Sequence, residues 1–84
     1  MRISVMQRHI DNGRRLGNGC PVALACHEMG LQFAFCGVAY LFDKELMPLY
    51  SLPVEAILFA LVFAKGGKVQ PFAFELDTES VVYE

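Results

Sequence analysis

The sequence predicts a single α+β domain, built from one mainly antiparallel sheet of three to five strands and two helices. Stretches near both ends alternate apolar and polar residues, as strands do, and two segments between them carry helical signals. The expected order is strand, loop, helix, one or two strands, helix and strand. Of the 84 residues, 55% are hydrophobic and 19% are charged. This composition excludes an intrinsically disordered chain, and the length predicts one domain over residues 1–84.

The N-terminal third predicts a strand, a loop and a short helix. Ile3 and Val5 are β-branched and alternate with their neighbours, which is typical of a strand. Residues 11–19 contain three glycines and two asparagines, and we expect them to form a loop. Pro21 suits the first position of a helix, and apolar residues follow it at helical spacing. Gly30 is the expected end of that helix.

The remaining strands are expected on both sides of the second helix. Residues 31–42 are rich in strand-favouring aromatic side chains and form either one bent strand or a hairpin. A polar connector is expected at residues 43–49. The last strand is expected at Val69–Leu76, where apolar and polar side chains alternate. Residues 81–83 form either a short edge strand or a loose tail.

The second helix is the most apolar segment of the chain. Ser51 is its expected N-cap and Gly66-Gly67 its expected end. Residues 56–64 carry no polar side chain, so this helix has no polar face. At roughly 20 Å, residues 53–65 are too short to cross a bilayer. We therefore expect an identical chain to cover the helix in a homodimer, the alternative being burial within one chain. The expected interface residues are Val54, Ile57, Leu58, Phe59, Leu61, Val62 and Phe63.

Charge and cysteine content restrict the partner and the compartment. A net charge of −2 and a pI near 5.6 argue against a nucleic-acid-binding protein. The apolar run after Arg2 is too short for a signal peptide, and three cysteines make an odd number, so a reducing cytoplasm is expected. Cys20 and Cys26 are not spaced like zinc ligands. We expect buried thiols, and neither a metal nor a cofactor.

The basic, glycine-rich loop before the first helix is the expected ligand site. Backbone N–H groups, a helix N-terminus and arginine side chains together suit a phosphate group, although the lysine of a Walker loop is missing. The alternative is a solvated turn whose arginines cover apolar surface. The residues expected to bind an anion are Arg8, His9, Arg14, Arg15, Gly17 and Gly19.

One pattern is compatible with nucleophilic catalysis. Cys20 lies near the start of the first helix, where a thiolate is stabilised, and His9 or His27 is a candidate base. Nothing in the sequence orients either histidine toward the thiol. A protein without enzymatic activity is therefore the expectation.

Several segments resemble a group of small, uncharacterised proteins of tailed bacteriophages and prophages. The matching segments are Ile3-Ser4-Val5 with His9-Ile10 and Gly13, Cys20-Pro21-Val22-Ala23-Leu24-Ala25, Leu52-Pro53, Phe63, and Gly67-Lys68-Val69-Gln70-Pro71-Phe72-Ala73-Phe74-Glu75-Leu76. The resemblance implies a phage origin and a location in the host cytoplasm, and it implies no activity. The second helix departs from the group, in which one face of that helix is charged.

These observations predict a phage-encoded accessory protein that binds and inhibits a host factor, most concretely an antiviral defence component. One alternative is a sponge that binds a phosphorylated or nucleotide signal through the basic loop. Another alternative is a minor structural or regulatory component of the virion. We expect a dimer whose partner is either a host protein or a small anionic ligand, and no association with a membrane.

Overall fold

The computed structural model describes residues 1–15 and 19–78. The strands and helices are β1 (Arg2–Val5), α1 (Gln7–Asn12), α2 (Pro21–Glu28), β2 (Phe35–Cys36), β3 (Tyr40–Phe42), β4 (Pro48–Ser51), α3 (Val54–Ala64) and β5 (Phe72–Glu75). Helices and antiparallel strands share one small chain, so the predicted α+β class is confirmed.

The described residues form two sheets, where the sequence analysis expected one. β1 and β5 make an antiparallel pair, and β2, β3 and β4 make a separate antiparallel sheet in that order. The first pair brings the two ends of the described chain together: Ile3 faces Phe74, and the backbone N–H of Leu76 donates to the carbonyl of Met1 at 2.8 Å. Alternation predicts that a segment is a strand, but it does not specify which strand it pairs with.

The segment at residues 31–42 contains a hairpin, which was one of the two predicted forms, and is not one bent strand. The backbone N–H of Gly37 donates to the carbonyl of Tyr40 at 2.8 Å and closes the turn between β2 and β3. A Cβ at Gly37 would lie 2.8 Å from Cε2 of Phe42, so the glycine allows that ring to pack against the turn.

The expected connector at residues 43–49 is a turn that leads into β4. The side chain of Asp43 accepts hydrogen bonds from the backbone N–H groups of Glu45 and Met47, at 2.9 and 3.0 Å. Such local bonds from an aspartate are typical of tight turns. Pro48 occupies the first position of β4, where the missing N–H costs a strand little.

Both predicted helices are present, and α1 is an additional one. α2 begins at Pro21, and Gly30 beyond its end has a φ of +86°, as expected of a helix-terminating glycine. The N-cap of α3 is Pro53, so the prediction of Ser51 is wrong: Ser51 ends β4 and pairs with Tyr40. α3 ends as predicted, since Gly66 has a φ of +80°.

One apolar cluster joins both sheets to α2 and α3. Its fully buried members include Ile3 and Val5 of β1, Cys26 of α2 and Leu41 of β3. Phe59 of α3 packs on Phe72, with 4.7 Å between the ring centroids. The last expected strand is shorter than predicted, at Phe72–Glu75, and the predicted residues 81–83 lie outside the described ranges. Within the described part of the chain, no helix is long and apolar enough to span a bilayer.

Candidate functional site

The structure divides the residues of the predicted anion site. Arg8 and His9 lie on α1 and both contact the carboxylate of Glu28 at the end of α2. Nε2 of His9 is 2.9 Å from Oε2 of Glu28, and the guanidinium of Arg8 forms an ion pair with Oε1. These two basic residues therefore contact an internal carboxylate, and their binding of an external anion stays a prediction.

His9 is a structural histidine at the α1–α2 contact. Its side chain is 5% exposed, and Nδ1 accepts the backbone N–H of Met6 at 2.8 Å. This bond satisfies one of the unpaired donors at the start of α1. With Nδ1 as the acceptor, the neutral ring carries its proton on Nε2 and donates it to Glu28. His9 thus links α1 to α2 through its contact with Glu28.

Glu28 makes the stability of this contact depend on pH. The hydrogen bond from His9, and then that from Arg8, hold the pKa of Glu28 below its ordinary value of 4.5. A carboxylate with a lowered pKa in the folded state stabilises the fold above pH 4.5, and this contribution is lost as the pH falls through the lowered pKa.

We expect Glu28→Gln to weaken the dependence of stability on acid pH. Urea unfolding at pH 7 and near pH 3 measures the change, and the wild-type protein should lose more stability between the two values than the variant. Glu45→Gln, an exposed carboxylate in the β3–β4 turn, removes the same charge and serves as the control. An identical pH dependence of wild type and Glu28→Gln would contradict the assigned role of the carboxylate.

Of the other residues of the predicted anion site, Arg15 lies at the end of α3. The backbone N–H of Arg14 donates to the carbonyl of Gly19 at 2.7 Å, and Gly17 lies outside the described residues. Arg15 places its guanidinium beside Gly66, at the C-terminal end of α3, where a Cβ on the glycine would be 3.0 Å from Nη2. A cation is favoured there by the exposed carbonyls and the helix dipole. Arg15 thus contacts the end of α3, whereas Arg8 and His9 contact Glu28.

A cavity of about 160 Å³ lies between the start of α2, the β2–β3 hairpin and the inner face of α3. Its wall is mostly apolar and includes the rings of Phe59 and Phe63. Arg15 is the cationic side chain in this wall, and Cys20 and Cys36 also line it. The cavity thus joins a hydrophobic surface, a positive charge and two thiols.

The two thiols of the cavity contact each other. Sγ of Cys20 lies 3.7 Å from Sγ of Cys36, and Cys20 also accepts the backbone N–H of Ala23 at 3.4 Å as the N-cap of α2. The hydrogen bond from Cys36 lowers the pKa of Cys20 to about 7, against the effect of burial and with a smaller contribution from Ala23. The same bond and burial raise the pKa of Cys36. Cys20 is therefore the thiol that ionises first.

Cys26 differs from the other two cysteines. It is fully buried in the core, and burial raises the pKa of its thiol to about 12. The prediction of buried thiols therefore holds for Cys26, whereas Cys20 and Cys36 are half-buried at the cavity. The described residues contain no group of three or more histidine, cysteine or acidic side chains arranged to hold a metal ion. The pairing of Cys20 with Cys36 was missed because no local signal relates positions 16 residues apart.

The predicted interface residues fall on two faces of α3. Val54, Leu58, Leu61 and Val62 are exposed, at 68%, 57%, 42% and 44%. Phe59 is buried in the core at 9% exposure, so its assignment to the interface is corrected. Ile57 and Phe63 are half-buried and pack against the core cluster. We call the four exposed residues the α3 stripe.

Comparison with known proteins adds no relative to this description. No family model, no curated protein and no solved structure matches the chain.

Proposed function

We propose that this chain is a non-enzymatic binding protein that forms a homodimer through the α3 stripe. We further propose that the dimer binds and neutralises a protein of a bacterial host, most concretely a component of antiviral defence. The observation that carries the proposal is the exposure of four large aliphatic side chains on one face of a regular helix. Contiguous exposed apolar patches mark interaction sites in soluble proteins.

The geometry of α3 favours one continuous contact surface. At 100° per residue, the α3 stripe occupies an arc of about 100° on the helix, and Ala56 and Phe59 point into the core on the other side. The stripe includes no polar side chain. An apolar arc of this width is what a helix normally turns toward a hydrophobic core. Here the core of one chain lies on the opposite face, so a second body is needed to cover the stripe.

Charge placement favours a second copy of this chain as the occupant. The exposed residues Glu55 and Lys65 flank the α3 stripe at its two ends. When two copies of α3 pack antiparallel about a two-fold axis, each Glu55 comes opposite the Lys65 of the other copy. The same contact pairs aliphatic side chains with aliphatic side chains along the stripe. A self-complementary surface of this kind is the requirement for a closed dimer.

A second apolar surface leaves room for a different partner. Phe35 and Tyr40 of the three-stranded sheet are 44% and 38% exposed, and they lie on strands that the α3 stripe does not include. Aromatic side chains are enriched at the centres of protein interfaces. Together with the resemblance to phage proteins, this surface supports binding to a host protein, with inhibition by occlusion that requires no chemistry. The contacts of Arg8 and His9 with Glu28 give the sponge alternative no comparable support.

We expect Leu58→Glu to dissociate the dimer without unfolding the protomer. The wild type should show twice the 9.4 kDa mass of one chain in light scattering, and the variant the mass of a single chain. Two glutamates facing each other across the two-fold axis would be buried in an apolar contact, which is strongly unfavourable. Met29→Glu, half-exposed at the far end of α2 from the cavity, is the matched control and should remain a dimer. A wild-type mass of 9.4 kDa at high micromolar concentration would contradict the dimer.

The same variants test the binding of a host protein. Wild type or variant is expressed in bacterial strains that each carry one antiviral defence system, and phage plating is compared with an empty vector. We expect the wild type and Met29→Glu to restore plating in a defended strain, and Leu58→Glu to lose this effect. Unchanged plating across the strains, with the wild-type protein folded and expressed, would contradict the inhibitor.

A further inference from the structure

The contact between Cys20 and Cys36 lies in the wall of a cavity that is wide enough for a small ligand. We propose that these two thiols form a reactive dithiol site, which exchanges with small anionic aromatic disulfides and closes into a Cys20–Cys36 disulfide. The site is independent of the proposed function, because the cavity is lined by the inner face of α3 and not by the α3 stripe.

The separation of the sulfur atoms favours ring closure. At 3.7 Å the two Sγ atoms are already in contact, and a disulfide bond requires them to approach by about 1.7 Å. Cys20 lies at the start of α2, after a glycine, and Cys36 lies at the hairpin turn before Gly37, so neither is inside a long regular element. Cys26 is fully buried and cannot take part without unfolding of the core.

The positions of the thiols assign their roles. Cys20 is the nucleophile, because the hydrogen bond from Cys36 and then the backbone N–H of Ala23, at the N-terminus of the eight-residue α2, stabilise its thiolate. Its pKa of about 7 leaves a large thiolate fraction at neutral pH. Cys36 keeps its proton longer and acts second, as the resolving thiol.

The reaction is a two-step exchange in which every atom is accounted for. The Cys20 thiolate attacks one sulfur of the small disulfide, an S–S bond forms between them, and one aryl thiolate leaves. Cys36 then loses its proton to solvent and attacks Sγ of Cys20, which releases the second aryl thiolate. The two protein thiols are oxidised to one disulfide, and the small disulfide is reduced to two thiols.

The cavity wall selects the class of disulfide. A volume of about 160 Å³ is close to that of an apolar cavity that accepts one benzene ring, about 150 Å³. The rings of Phe59 and Phe63 offer an apolar surface to such a group, and the guanidinium of Arg15 favours a carboxylate on it. An aromatic disulfide with carboxylate groups therefore fits better than a small cationic disulfide.

The test uses dithiobis(nitrobenzoate), an aromatic disulfide with carboxylates, and follows the release of nitrothiobenzoate together with the intact mass of the protein. The folded wild type is expected to release two equivalents and to retain no label, with the loss of two hydrogen atoms. Cys36→Ser should release one equivalent and retain the label on Cys20. Cys20→Ser should react at least about ten times more slowly, since the ionised thiol is removed. Cys26→Ser, which leaves both cavity thiols in place, is the control and should behave as the wild type.

Cystamine, a cationic disulfide, tests the choice of ligand. The wild type is expected to react faster with the anionic aromatic disulfide than with cystamine, after correction for the rates of a free thiol, and Arg15→Gln should reduce this preference. Circular dichroism checks that each variant is folded. Retention of the label on the folded wild type, or equal reactivity of Cys20 and Cys26, would overturn the proposal.

Discussion

Replacing Phe59 with alanine is expected to destabilise the protomer by about 3–5 kcal/mol, a large part of the stability of a domain of this size. Phe59 is 9% exposed and stacks on Phe72, with 4.7 Å between the ring centroids, so the alanine leaves a cavity between α3 and β5. The unfolding midpoint should fall by roughly 12 °C or more. This result would show that Phe59, unlike the exposed residues of the same helix, contributes to the core of the single chain.

The measurement needs a background in which dissociation of the proposed dimer makes no contribution. We propose urea unfolding of Phe59→Ala within the Leu58→Glu chain, compared with Leu58→Glu alone. Leu61→Ala in the same background removes an exposed aliphatic side chain and should change the free energy of unfolding by about 0.5 kcal/mol or less. Equal losses for Phe59→Ala and Leu61→Ala would show that Phe59 does not belong to the core of the single chain.

The two residues illustrate what the sequence of α3 can and cannot predict. The helix, its end at Gly66 and its apolar character follow from local signals, and the structure confirms them. The sequence does not predict which side chains of α3 point into the core. Apolar residues occupy every face of this helix, so no polar face marks the side that is turned toward solvent. The sequence therefore predicts Phe59 at the interface together with Leu58 and Leu61, whereas packing against β5 places it in the core.

The elements that were missed depend on contacts between distant residues. α1 has only six residues, and its contact with α2 is made by His9 and Glu28, which are 19 positions apart. The strand β4 begins at Pro48. From the sequence this segment is expected to be a connector, and its pairing with β3 is what makes it a strand. Short segments like these gain most of their stability from tertiary packing, so their own sequence carries little signal.

The sequence predicts single features of the candidate site, but not which of its residues contact each other. Pro21 correctly indicates the helix start that places Cys20 at an N-cap. Basic residues near the start of this helix form an anion site only if their side chains point toward the same position. The structure instead pairs Arg8 and His9 with Glu28 and places Arg15 at the end of α3. The neighbour that changes the chemistry of Cys20 is Cys36, which reaches it through the hairpin.

The three-stranded sheet contributes one fully buried side chain to the core, Leu41, beside the partly buried Cys36 and Tyr50, and its removal is the second large effect we expect. Leu41 is fully buried, whereas every other residue of β2, β3 and β4 is half-buried or exposed. Leu41 also pairs with both neighbouring strands, opposite Cys36 and Tyr50, as Phe42 does opposite Phe35 and Pro48. The side chain of Leu41 thus attaches the hairpin sheet to the cluster that contains β1 and α2.

Leu41→Ala is expected to cost about 2–5 kcal/mol, because the cavity opens where the two parts of the fold meet. Tyr40→Thr changes the adjacent residue of the same strand, whose side chain is half-exposed, and should cost much less. Hydrogen exchange locates the effect: the amides of Ala34 and Gly37, which bond across the hairpin, should lose more protection in Leu41→Ala than those of β1. Equal loss of protection in both sheets would show that they unfold together. In that case Leu41 would contribute to the stability of the whole domain, and the hairpin sheet would not be a separately attached unit.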